Sequence, residues 1–150
     1  MIFRLSKTRK ITGNIYVVKT LISNFFIYSY NNTTICFNTG FFPLIVNREL
    51  KKIDIDPESI SGIFLTCPNF RHVGGIKVFK NATVYFSTDI VPKKSKKLLS
   101  RLETKEKLVC KEIKDGETIT IGGINIKSIV IPNHSSKSML YIVNNNVLFI

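Results

Sequence analysis

Apolar residues along this chain fall mostly in short runs and alternations, the spacing of strands rather than of long helices. Residues 15–18 open a strand. Residues 21–30 form a second, with Phe25, Ile27 and Ser29 on one face and Phe26, Tyr28 and Tyr30 on the other. Asn31-Asn32 reads as a hairpin turn, because Asn tolerates positive φ, and 33–37 return as a third strand. Residues 43–53 carry a helical apolar stripe of Leu44, Ile45, Leu50 and Ile53, with Asp56-Pro57 as a stop. The apolar centre of 61–66 predicts a fully buried strand. A short helix over 72–79, a strand over 83–86 and a polar, basic helix over 93–105 follow. The last third reads as a meander of strands at 108–113, 117–121, 124–131, 139–143 and 147–150. Asp115-Gly116, Gly122-Gly123 and the Asn144-Asn145-Asn146 run supply its turns. No repeat or linker divides the chain, so 1–150 is read as one domain of helices layered on sheet.

Composition narrows the class. The chain is 44% hydrophobic, with 11 Phe and 5 Tyr, which excludes a disordered polymer. Its longest apolar runs, 41–46 and 139–143, are too short to span a bilayer, and no membrane partner is expected. The basic N-terminus is not followed by the apolar stretch of a signal peptide. Three widely spaced cysteines give no disulfide framework, and a reducing cytoplasm is the expected location. The net charge of +12 is unevenly spread. Arg4, Lys7, Arg9 and Lys10 crowd the first ten residues without an acid, and 93–111 carries Lys93, Lys94, Lys96, Lys97 and Arg101 among its basic residues against only Glu103 and Glu106. Such asymmetry suits a nucleic acid or an acidic surface. A solvated Lys-rich face is the preferred reading, since Lys outnumbers Arg and no aromatics interleave in 93–111.

The decapeptide Thr66-Cys67-Pro68-Asn69-Phe70-Arg71-His72-Val73-Gly74-Gly75 follows a buried strand and opens a helix. It resembles the Thr-His-x-His-x-Asp-His-x-Gly-Gly motif of the metallo-β-lactamase fold superfamily. Upstream, 13–18 and 35–40 look like that family's first strands, the second of which normally ends Asp-Thr-Gly. Downstream, Ile131-Pro132-Asn133-His134-Ser135-Ser136-Lys137-Ser138 is similar to its Pro-Gly-His-Thr-x-Gly-Ser loop, and 147–150 to the strand that leads into a Gly-Asp pair. The resemblance covers essentially the whole chain in the right order. It implies an α+β, metallo-β-lactamase-like αββα sandwich, of which this chain supplies the N-terminal half plus part of the second sheet. About a quarter to a third of a typical domain is then expected to be absent.

The same resemblance implies a metal-dependent hydrolase with zinc as cofactor, held by imidazole and carboxylate ligands. The carried-over ligand positions are Cys67, Asn69, His72 and His134, and three of the family's ligand types are changed. Cys67 and Asn69 stand where the motif has histidines, and Arg71 stands where it has aspartate. Thiolate and imidazole are good zinc ligands, a neutral amide is a poor one, and a fixed guanidinium repels a dication. Loss of the two-metal site is therefore expected, with no catalytic residue assigned; a single weak zinc on Cys67 and His134 is the lesser reading. His72 as an ordinary helix-start residue, Cys67 as a small half-buried side chain, and Cys36 and Cys110 as core are the plainer alternatives. Two functions follow: a catalytically impaired or inactive member of the hydrolase fold, or a basic scaffold binding nucleic acid or an acidic partner. An incomplete sandwich would also leave an apolar sheet face, and self-association through it is expected.

Overall fold

Asn31 and Asn32 both take left-handed φ, 51° and 61°, closing a tight hairpin between Tyr30 and Thr33 as the sequence predicts. The computed structural model of the chain describes residues 7–90, 92–132 and 137–149. Four strands run antiparallel at the start: β1 Arg9–Thr12, β2 Ile15–Lys19, β3 Asn24–Tyr30 and β4 Thr33–Phe37. Three parallel strands extend the sheet, each reached through a helical crossover: β5 Ile60–Phe64 after α1 Pro43–Lys52, β6 Thr83–Phe86 after α2 Phe70–Val73, and β7 Val109–Glu112 after α3 Pro92–Thr104. The order of this sheet is β1-β2-β3-β4-β5-β6-β7. A second, antiparallel sheet is ordered β11-β10-β9-β8, from β8 Thr118–Ile121, β9 Ile124–Pro132, β10 Lys137–Val143 and β11 Val147–Phe149.

Several expectations are corrected here. The strand over 108–113 does not belong to the terminal meander. As β7 it lies parallel to β6, with Val84 opposite Cys110. The cause is α3, which spans the crossover a parallel neighbour requires, whereas apolar runs alone do not say which sheet a strand joins. β1 escapes prediction because all four of its residues are exposed and it carries no buried alternation. On α1 the stripe is shifted. Leu44 is 85% exposed, while Val46, Glu49 and Leu50 face inward, since Pro43 starts the helix and sets its phase. The helix expected over 72–79 is broken at Gly74-Gly75 into α2 and a 3₁₀ turn at Ile76–Val78.

The central strands of the seven-stranded sheet, β3 to β6, are covered on both faces, which is why they read as near-continuous apolar runs. On one face Val18, Phe25, Ile27, Cys36, Ile63 and Val84 pack with Val46 and Leu50 of α1 and Leu102 of α3. On the other, Tyr28, Ile35, Phe37, Phe64 and Tyr85 meet Ile124, Met139, Tyr141 and Phe149 of the second sheet. Phe37 is the centre of this inter-sheet layer. Its ring stacks on Phe149 with centroids 4.0 Å apart and also contacts Phe64 and Tyr141. Cys36 is fully buried and Cys110 half-buried, and burial pushes the Cys110 thiol up to about 11. The second sheet thus covers this face of the first. Alternation leaves Ile129, Leu140 and Ile142 of the second sheet half-buried on its outer side. Among the described residues no helix is long and apolar enough to cross a membrane.

Truncating Phe37 should open a cavity that its aromatic neighbours cannot fill. Phe37→Ala is expected to lower the free energy of unfolding by about 3–5 kcal/mol in chemical denaturation, with both sheets lost in one transition.

Candidate functional site

The motif loop leaves β5 at its C-terminal end, and its first residues are held from three sides. Asn38 sits one residue past β4 at φ 65°, a conformation Asn adopts more readily than most residues. Its side-chain oxygen accepts the backbone N–H of Thr66 at 3.0 Å, and its Nδ2 donates to Thr66 Oγ1 at 3.0 Å. Asn38 and Thr66 are both buried, so these bonds act in low dielectric. From the second sheet, the Met139 N–H donates to the Thr66 carbonyl at 2.9 Å, and the Tyr141 hydroxyl donates to the Leu65 carbonyl. Burial raises the Tyr141 phenol well above its ordinary value, so it stays protonated and able to donate.

The short helix α2 is tied to the end of β4 in turn. Thr39 donates both its N–H (2.7 Å) and its hydroxyl (3.0 Å) to the His72 carbonyl, and the Gly75 N–H donates to the Gly40 carbonyl at 3.0 Å. A Cβ built on Gly75 would lie 2.4 Å from the Thr39 carbonyl oxygen and 2.7 Å from a Val46 methyl. Gly75 is therefore required by close backbone approach, as Gly74-Gly75 implied in the sequence.

Within this frame the candidate ligands have different settings. Cys67 is half-buried, and with Leu65, Pro68 and Phe86 it lines a cavity of about 10 Å³, room for about one water molecule. Burial raises the Cys67 thiol above its ordinary value; the Asn69 backbone, the Thr66 side chain and the Lys94 charge pull the other way without reversing it. Asn69 is exposed, and its carbonyl accepts the N–H groups of His72 (2.9 Å) and Val73 (3.1 Å), which starts α2. His72 is half-buried, its backbone carbonyl engaged by Thr39. His134 lies outside the described residues. Among the described residues no three His, Cys, Asp or Glu side chains come together as a metal-holding group. Asn69 brings a neutral amide to one of the motif's imidazole positions, a poor donor for the dinuclear centre that the motif implies. The structure adds two participants that sequence reasoning missed. Tyr141 was legible only as an inward-facing strand residue, and Lys94 only as one lysine in a run.

No family model and no curated protein matches this sequence. Solved structures do. A B3 metallo-β-lactamase described as having an active-site glutamic acid aligns over 94% of this chain and 59% of its own length, at 21% identity and a TM-score of 0.69. A motif mutant of a metallo-β-lactamase from Cronobacter sakazakii aligns over 91% and 59%, at 18% identity and a TM-score of 0.74. A flavo di-iron protein mutant from Thermotoga maritima aligns over 95% and 41%, at 18% identity and a TM-score of 0.68. The chain thus has the metallo-β-lactamase fold, and it spans less than two thirds of the length of these structures.

The Asn38 grip on Thr66 is testable by itself. Asn38→Ala leaves a buried N–H without its acceptor and puts an alanine at positive φ. It should cost about 2–4 kcal/mol of stability and accelerate hydrogen exchange at the Thr66 amide beyond what global destabilisation accounts for.

Proposed function

We propose that this chain is a metallo-β-lactamase-fold protein related to metal-dependent hydrolases, and that its hydrolytic centre is impaired to the point of inactivity. The observation that carries this reading is the content of the motif loop. The two His positions of the motif are Cys67 and Asn69, and the Asp position is Arg71, in a loop whose backbone is otherwise held firmly in place. The chemistry agrees. In that fold a metal supplies the activated nucleophile and polarises the scissile group. Here a single thiol at residue 67 replaces one imidazole, a neutral amide at residue 69 offers little to a dication, and a permanent guanidinium charge at residue 71 opposes one. What remains is a scaffold that keeps the walls of the pocket.

The test joins metal content to turnover on the same preparation. Protein purified from zinc-supplemented cells should carry far less than one tightly held metal per chain, and should not turn over β-lactam, thioester or phosphodiester substrates above buffer rates. One or two retained zinc ions together with turnover of any of these would contradict the proposal.

A further inference from the structure

Helix α3 is assembled against its own electrostatics. Its first turn carries Lys93 and Lys94 and no acidic residue, although a helix N-terminus favours negative charge. Lys94, Lys97 and Arg101 stand at i, i+3 and i+7, a single stripe of like charge running about 10 Å along the axis. All three are exposed. Among the described residues the ion pairs are those of Arg48 and Lys52 with Glu49, and none involves this stripe.

The stripe borders a groove rather than a flat face. One cavity of about 190 Å³ lies between Lys94, Lys97 and Arg101 on one side and Pro68 and Val73 on the other. A second of about 250 Å³ continues from it through the shared residues Val73, Leu98 and Arg101 toward Phe41, Pro43 and Ile76. The floor is apolar, while Lys77 stands on the rim of the second cavity. The groove ends at Glu106, so charge is not uniform along it.

We propose that this groove is a docking site for an acidic amphipathic peptide segment. Two apolar side chains of that segment would fill the two cavities, and its carboxylates would lie over Lys94, Lys97 and Arg101. Charge complementarity sets the sign of the partner, and the apolar floor selects its chemistry. A nucleic-acid backbone presents no apolar group to such a floor, and among the described residues Phe41 is the one aromatic side chain lining either cavity. A peptide supplies both kinds of group from one strand or helix face. The groove shares Pro68, Val73 and Gly74 with the motif loop, but peptide docking there requires no hydrolytic chemistry from that loop.

The experiment is fluorescence anisotropy on the full chain with three labelled probes of equal charge: a peptide alternating Glu with Leu and Phe, the same peptide with Ser in place of every Leu and Phe, and a single-stranded oligonucleotide. The amphipathic peptide should bind at least about tenfold more tightly than either of the others, and part of its affinity should survive raised salt. The combined Lys94→Glu, Lys97→Glu and Arg101→Glu variant should lose at least about tenfold in affinity for that peptide while melting close to the parent, because all three positions are exposed. Should that variant not fold, the single Lys97→Glu change at an exposed position gives the same reading with smaller amplitude. Equal binding of the Ser peptide, preference for the oligonucleotide, or undiminished affinity of the charge-reversed variants would each overturn the proposal.

Discussion

The exchange of hydrogen bonds between the Asn38 side chain and Thr66 is the constraint on which the architecture of the motif loop rests. It ties the end of β4 to the second residue after β5, two parallel neighbours whose C-terminal ends face the same side of the sheet. Open sheets of this kind place their sites at the carboxyl ends of the strands, where loops begin without a ladder partner. A loop leaving that edge needs its backbone groups satisfied by something other than the sheet. Here Asn38, Met139 and Tyr141 provide the partners at Leu65 and Thr66, and Thr39 and Gly40 do so for α2. Every one of these bonds is made by the polypeptide itself.

That self-sufficiency separates fold from chemistry. The inter-sheet layer of Phe37, Phe64, Tyr141 and Phe149 and the helix-side layer of Phe25, Ile63 and Leu50 bury their apolar surface whatever the motif loop carries. On our reading, the side chains at 67, 69 and 71 decide what the loop can bind, while the backbone bonds that hold it do not depend on them. The basic groove lies between α3 and the motif loop, with Pro68 and Val73 of that loop forming one wall and Lys94, Lys97 and Arg101 the other.

Much of this was legible in the chain because the relevant signals are local. The Asn31-Asn32 turn, the two-faced apolar pattern of β3 and the strand–loop–helix setting of residues 61–75 each follow from neighbours in sequence. The misreadings share a different origin, since they depend on partners distant in the chain. β1 is an exposed edge recognisable only by its pairing with β2. β7 has the same apolar character in either sheet, and only the α3 crossover assigns it. Leu44 and Val46 compete for the inward face of α1, and the winner is set by where the sheet lies beneath it. The Tyr141 hydroxyl reaches a carbonyl 76 positions away, which no spacing rule announces.

The central claim, that the loop is held by the chain's own hydrogen bonds and not by a metal, is tested most directly by thermal unfolding with excess EDTA and with excess zinc. The account predicts the same midpoint in both. A tight native site would instead raise the zinc midpoint over the EDTA one by roughly 5–10 °C, and that result would contradict it.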